Sequence, residues 1–431
     1  MDDPAGERID ETDMRMTRAW MIAGMMMIAP SATQAQLLPG GGGLGGGLDR
    51  IGQAVPDTLG RVGGAVDAAD LDRLSPTRLA DRLVAARAAR IGDLLQRHGD
   101  SIELDDRREP ARRGVILLTG ADDAALAALR SAGFGVESDR IEGIDLPIAR
   151  IIPPAGRTLA KALREVRKIA PGAQASADNL YFPSGAALPI ATGALAGGGR
   201  VAGRIAGLID GGVGRHPALT GAIEQRGFAA GAPRASAHGT AVASLISGDG
   251  TIRGAAPGAP LLVADVYGDD PAGGGAFAIV RALGWMAARG ARVVTISLVG
   301  PANPLLDGAI RLARDKGVTV VAAVGNDGPA APPAYPASYP AVIAVTGIDG
   351  RGRILPEAGR ATHVDFAAPG ADMAAANVDG GKGAVRGTSF ATPLVAGRLL
   401  VRGSIDTLRA EATVRAGGKT PIICGDCRNR D

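Results

Sequence analysis

The chain has 431 residues, 46% apolar and only 3% aromatic, which allows two or three domains and excludes disorder throughout. Its 47 basic and 44 acidic residues leave a formal charge of +3, a balance that argues against a dedicated nucleic-acid surface. Two cysteines are too few for a disulfide framework, and with 65 glycines and few rings the core must be packed by Ala, Val, Ile and Leu.

Arg15 and Arg18 precede a short apolar run at 19–29, and small and polar residues follow at 31–35. A basic segment, an apolar segment and a small-residue end predict a secretory signal over 1–35, with the true start at Met14 or Met16 because the residues before them are acidic. An exported protein follows, periplasmic or secreted. The run is too short to span a bilayer, and no other stretch is long enough. Residues 36–48 carry a glycine run that reads as a flexible linker. It lacks the Lys-Ser/Thr ending and the preceding strand of a phosphate cradle.

Residues 49–112 read as a helical and linker region. Over 71–97, Leu79, Leu83, Ala86 and Arg90 share a side that Leu94 and Leu95 extend, which predicts an amphipathic helical pair. The charged, proline-containing stretch 103–113 predicts a linker. From 114 the pattern changes: strand at 115–118, helix at 122–132, strands at 134–139 and 146–152, helix at 157–169, and a last strand at 173–177. The order β-α-β-β-α-β predicts a small α+β, ferredoxin-like module over 113–180. Residues 181–199 read as an exposed connection.

Over 190–405, apolar strands at 201–209, 260–266, 293–298, 318–324 and 342–346 alternate with helices at 240–246, 277–288, 303–316 and 389–400. This predicts an α/β fold, a mostly parallel sheet with helices on both faces and its ligands beyond the carboxyl ends of the strands. Asp210, Ser297 and Asn326 fall at or just past such ends. Residues 406–431 read as a C-terminal tail.

Four segments in this region carry chemistry. Asp210 begins Asp-Gly-Gly at the end of a strand, where a carboxylate is held beside a tight turn. His238 is followed by a small, apolar helical run, unlike His98, His216 and His363. Asn326 stands in Gly-Asn-Asp-Gly, with a side-chain amide able to donate to an oxyanion. Ser389 stands in Gly-Thr-Ser-Phe-Ala-Thr-Pro at a helix start. Singly, each has an ordinary structural role as a turn or cap residue. Together they supply what an activated serine needs: a base, a carboxylate to orient it, and an oxyanion donor.

These four segments resemble, in order, those of the subtilisin-like serine proteases, the subtilases; the resemblance covers about 201–403, and His216-Pro217 fits the loop after the aspartate. It implies a subtilisin-like fold and a serine endopeptidase acting through an acyl-enzyme. Ser389 is then the nucleophile and His238 the general base and later the acid. Asp210 orients His238, and Asn326 with the Ser389 N–H forms the oxyanion hole. Ser297, Leu298, Val299 and Gly300 pair with the extended peptide or protein substrate. Residues 322–324 with Gly325 wall the S1 pocket, and Ala334 sits at its base. Small residues there imply room for a large P1 side chain, with Asp327 at the rim favouring a basic or neutral one.

The resemblance also implies that 113–180 is a propeptide, an intramolecular chaperone and inhibitor of a zymogen released by self-cleavage between about 177 and 199. The turn at 248–251 is shorter than in members with a calcium loop there, so no calcium is expected at that place, and no metal or cofactor is assigned elsewhere. The stretch after Ser389 is short for the fold. Cys424-Gly-Asp-Cys427 has zinc half-site spacing but no second pair, and an exported chain favours a disulfide. Two other classes are weighed. A non-catalytic binding module sharing the fold is opposed by the intact Asp210, His238, Asn326 and Ser389. A nucleotide-binding protein is suggested by the glycines at 207–214, which do not follow G-x-G-x-x-G.

Overall fold

The computed structural model describes residues 74–184, 203–412 and 414–429, all within one compact unit. The expected signal, the glycine run, residues 185–199 of the connection and residues 200–202, which include the start of the strand expected at 201–209, lie outside them.

The first element, α1 (Pro76–His98), is one helix where a pair was expected. Pro76 suits the first turn, and Leu79, Leu83 and Leu94 form a single buried stripe at helical spacing. Next comes a five-stranded antiparallel sheet of β1 (Ile102–Leu104), β2 (Pro110–Thr119), β3 (Gly135–Ile141), β4 (Leu146–Ile152) and β5 (Gln174–Asn179). Residues 103–113 are therefore not a linker. They form a hairpin in which Ile102 opposes Arg112 and the Asp105 carboxylate accepts the N–H groups of Arg107 and Glu109, each at 2.9 Å. The helices α2 (Asp123–Ser131) and α3 (Leu159–Ile169) bury Leu129, Leu163 and Val166 against Ile116, Leu118 and Ile151. This is the α+β module expected from the sequence, with β1 added.

Side chains alternate across β2, so Leu117 points away from Ile116 and Leu118 and, with Ile148, joins the core of the larger region. Two polar contacts fix that docking. Asp178 accepts the N–H of Phe277 at 2.9 Å, capping α5 (Ala276–Ala288) from the other module. Asn303 caps α6 (Pro304–Asp315) and donates to Ala177 O at 2.9 Å and Asn179 Oδ1 at 3.0 Å. Residues 182–183 form a short strand, β6 (Phe182–Pro183).

The larger region is a seven-stranded sheet. Its strands are β7 (Ala206–Asp210), β8 (Ile223–Gly227), β9 (Leu261–Asp265), β10 (Val293–Ile296), β12 (Thr319–Ala323), β13 (Val342–Ile348) and β14 (Phe366–Pro369). The spatial order is β14-β13-β12-β10-β7-β9-β8 and every pair is parallel. Successive residues face opposite layers. Ile209 and Ile296 pack with Trp285, Met286 and Ile310 of α5 and α6, while Leu208 and Val321 pack with Val242 of α4 (Ala237–Ser247) and Leu394 of α7 (Thr388–Arg402). That two-sided burial explains the near-continuous apolar runs of the inner strands.

The β11 strand (Leu298–Val299) lies outside this sheet. The hairpin of β15 (Met373–Ala376) and β16 (Lys382–Val385) leads into α7. After α8 (Ile405–Glu411), β17 (Arg415–Ala416) pairs with β18 (Thr420–Pro421), and Cys424 and Cys427 form a disulfide. Ile423 N–H donates to Ala367 O at 2.8 Å, and Ala374 N–H to Asn429 O at 2.7 Å, so the tail is laced to the sheet.

Candidate active site

Asp210 ends β7, and its Oδ1 accepts the N–H of Gly211 at 2.7 Å. Both carboxylate oxygens lie 2.9 Å from His238 Nδ1. A carboxylate only accepts, so Nδ1 carries the proton, and in the neutral ring Nε2 is the atom left to accept one. Here Nε2 is buried and makes no hydrogen bond among the described residues. The ring is held because His238 lies in the first turn of α4, whose cap residue Ser236 accepts the Gly239 N–H at 2.9 Å. In register with Asp210 on β9 lies Asp265. Burial pushes its carboxyl pKa up and the Asp210 charge adds to this, against backbone donors from Tyr267, Arg234 and Gly268.

Ser389 is the second residue of α7 and is fully buried. Helix geometry leaves its N–H without an intrahelical partner, and it donates to Ser184 O at 3.1 Å. The Ser389 hydroxyl donates to Ser297 O at 3.0 Å and lies 2.7 Å from Ser184 Oγ. It is thus turned onto Ser297 rather than His238, although the His238 ring packs 5.5 Å, centroid to centroid, from that of the next residue, Phe390. Asn326 Oδ1 accepts the Thr388 N–H at 3.0 Å, which fixes the amide and leaves its nitrogen as a donor. Thr388 Oγ1 donates to Gly325 O and accepts from Gly325 N, both at 3.1 Å, clamping this loop to the helix start. Glu357 and Arg386 form a partly buried two-pronged ion pair at 2.7 and 3.0 Å, and Glu357 O accepts the Gly328 N–H at 3.0 Å.

Tyr181 and Ser184 are buried in this site and Phe182 and Pro183 half-buried, where an exposed connection over 181–199 was expected. In an antiparallel pair of β6 with β11, Pro183 opposes Leu298 and Phe182 opposes Val299. Ser184 N–H donates to Ser297 O at 3.2 Å and Tyr181 N–H to Gly274 O at 2.9 Å, so the segment lies between two rims. Tyr181 is fully buried; its hydroxyl donates to Pro301 O at 2.8 Å, and Tyr267 Oη donates to Tyr181 O at 2.8 Å. A Cβ on Gly300 would lie 2.7 Å from the Tyr181 ring, so only glycine permits this seat. Burial pushes both phenol pKa values well above the ordinary range.

Beside Ser389, Gly325 adopts φ +88°, and a Cβ there would meet Val299 Cγ1 at 3.4 Å and Ala334 Cβ at 3.6 Å. The α1 helix crosses this end of the molecule. Its Leu83 packs on Gly328, Arg90 and Arg87 lie 2.7 and 3.5 Å from Asp327, and its Leu94 clusters with Leu180 and Ala272 on the opposite rim. Sequence patterning marked this helix but not its partners. Among the described residues, no group of three or more His, Cys, Asp or Glu is placed to hold a metal.

A model of the subtilase family matches residues 202–411. The chain is 34% identical over 201 residues to subtilisin BL of Lederbergia lenta, covering 44% of this chain and 72% of that protein. It is 33% identical over 170 residues to subtilisin E of Bacillus subtilis strain 168, where it covers 38% of this chain and spans only 44% of that protein. Fervidolysin from Fervidobacterium pennivorans overlays with a TM-score of 0.59 at 20% identity, over 74% of this chain and 61% of that one, a likeness of fold alone. Over the region that carries Asp210, His238, Asn326 and Ser389, this chain belongs to the subtilase family.

Proposed function

We propose that the protein is a serine endopeptidase, made as a precursor that cuts its own chain between Ser184 and Gly185. The observation that carries this reading is the hydrogen bond from the Ser389 N–H to the Ser184 carbonyl oxygen. A helix-start N–H aimed at a carbonyl polarises that carbonyl for attack and stabilises the oxyanion that attack creates. Asn326, its Oδ1 tied to Thr388 N, offers its amide nitrogen as a second donor.

For reaction the Ser389 hydroxyl swings from Ser297 O to the uncommitted lone pair of His238 Nε2. His238 takes the proton as Oγ bonds to the Ser184 carbonyl carbon, and Asp210 stabilises the imidazolium. The C–N bond breaks, His238 passes the proton to the Gly185 nitrogen, and Ser184 is left as an ester on Ser389. Water activated by His238 then adds to the ester carbon, releasing the Ser184 carboxylate and restoring the serine. The mechanism draws on no metal or cofactor.

In this reading Ser297, Leu298, Val299 and Gly300 pair with the substrate backbone, and Gly325 and Ala334 border the pocket for the residue before the cut. Residues 113–180 act as chaperone and inhibitor. Their contacts through Asp178, Ala177 and Asn179 brace α5 and α6 and keep residues 180–184 in the groove. Other peptides or proteins take that segment's place after release. Export fits the expected signal and the Cys424–Cys427 disulfide; no helix among the described residues is long and apolar enough to cross a membrane.

A fluorophosphonate probe tests the activated serine, because it reacts only with a nucleophilic hydroxyl. Chain incubated to constant mass labels at Ser389, and His238→Ala does not. An unlabelled wild-type chain would leave a non-catalytic fold as the better reading.

A further inference from the structure

In the endopeptidase reading, Gly325, Val299 and Ala334 border the pocket for residue 184. Val299 is half-buried on β11, and its methyls and that of Ala334 gather in front of Gly325. A Cβ on Gly325 would meet the two Val299 methyls at 3.4 and 3.7 Å and the Ala334 methyl at 3.6 Å, so a single methyl group in front of this glycine would already touch both side chains. Neither wall retreats easily. Gly300 N–H donates to Tyr335 O at 2.9 Å and Tyr335 N–H to Gly300 O at 3.1 Å, tying the residue after Val299 to the residue after Ala334. Ala334 N–H is itself held by Arg360 O at 2.8 Å. The residue at this place is Ser184, among the smallest side chains, and its hydroxyl turns to Ser389 Oγ at 2.7 Å.

We infer that Val299, with Ala334, closes S1 to large side chains, so that the enzyme cuts after Ser, Ala or Gly and discriminates against Phe, Tyr, Leu and Lys. This rests on the endopeptidase reading and reverses the expectation of a roomy pocket. A large side chain must displace Val299 or stay outside, and then the carbonyl misses the Ser389 N–H. Overpacking of this kind lowers the rate about 10- to 100-fold. Affinity that a small residue cannot supply comes from Tyr181, three residues upstream and fully buried.

The full chain supplies its own test. Self-cleavage is followed by intact mass for Ser184, Ser184→Ala and Ser184→Phe, each with Val299 and with Val299→Gly, and the Phe-to-Ser rate ratio is compared within each background. That ratio cancels any general damage from Val299→Gly, and Val299→Ala serves as a second widening variant. With Val299, Ser184→Ala cuts like wild type and Ser184→Phe at least tenfold more slowly; Val299→Gly raises the ratio at least tenfold. A Ser184→Phe chain cut as fast as wild type, or a ratio unmoved by Val299→Gly and Val299→Ala alike, overturns the inference. Wild-type chain that labels with fluorophosphonate but is never cut after residue 184 overturns it too, since residue 184 then does not occupy S1. Chain that neither labels nor cuts instead removes the endopeptidase reading beneath it.

Discussion

Tyr181→Ala should release residues 180–184 from the groove without disturbing the sheet beneath. The Tyr181 ring is fully buried, and its hydroxyl and carbonyl are hydrogen bonded to Pro301 O and Tyr267 Oη at 2.8 Å each. A buried aromatic side chain covers about 150–250 Å², which at about 25 cal/mol per Å² corresponds to ~4–6 kcal/mol as an upper bound. Aromatic-to-alanine changes in cores cost about 3–5 kcal/mol. Taking the lower end, because the undocked segment remains tethered and keeps other contacts, docking weakens on the order of 100-fold. The assay is amide hydrogen exchange in the uncut Ser389→Ala chain. The amides of residues 181 and 184, which donate to Gly274 O and Ser297 O, should lose about two orders of magnitude of protection, or fall to the unprotected rate, while those of β7 and β10 stay unchanged. Tyr181→Phe removes only the hydroxyl bond and should cost about 1 kcal/mol, roughly fivefold. Protection that falls less than threefold in Tyr181→Ala would refute the claim that this ring anchors the segment.

The other predictions concern the oxyanion hole, the docking interface, the covering helix and the tail. Asn326→Ala should slow self-cleavage about 10²–10³-fold in single-turnover mass measurements, a magnitude known for such a donor in a subtilisin rather than worked from these distances; a change under fivefold would remove Asn326 from the chemistry. Burial raises the pKa of Asp178, outweighing its bond from Phe277 N–H and the nearby Arg112. Its contribution to docking is therefore full below the ordinary carboxylate range and is lost as pH rises through the raised value. Exchange protection of 181–184 in the Ser389→Ala chain should decline from about pH 4 upward, and Asp178→Asn should flatten that decline. Leu83→Ala should cost about 2–5 kcal/mol at the contact with Gly328, read as at least tenfold faster exchange over α1; unchanged exchange would mean that the helix is not seated there. Reducing the disulfide, whose cysteines are three residues apart, should cost ~2 kcal/mol in chemical unfolding and leave fluorophosphonate labelling intact.

Strands buried on both faces were legible because they need near-continuous apolar runs, and β7, β9, β10, β12 and β13 have them, with Thr295 in β10, Thr319 in β12 and Thr346 in β13 as the hydroxyl-bearing exceptions. The strand β8 was not. Its sequence, Ile-Glu-Gln-Arg-Gly, buries only Ile223, since it lies at the sheet edge. The hairpin at 103–113 was hidden for a similar reason: its order comes from the Asp105 carboxylate and from pairing to β2, neither of which leaves an apolar period. Residues 180–184 are the sharpest case. Tyr-Phe-Pro-Ser has the composition of a loop, and its burial is imposed by rims more than ninety residues away, Gly274 and Leu298. The positions of Asp210, His238, Asn326 and Ser389 were legible from short motifs because each requires a particular local backbone, a strand end or a helix start. What motifs could not convey is direction. The Ser389 hydroxyl faces Ser297 O, and the Val299 methyls lean over Gly325, facts of rotamer and approach rather than of residue type.

Intact mass and N-terminal sequencing of wild-type and Ser389→Ala chains, expressed and purified in parallel, decide whether Ser389 cuts its own chain after residue 184. Wild type should yield a product beginning at Gly185 together with a fragment ending at Ser184, and Ser389→Ala should remain joined across that bond. Masses that differ only by the oxygen lost in Ser389→Ala, or a wild-type cut at another bond that Ser389→Ala also shows, would contradict self-cleavage at this bond.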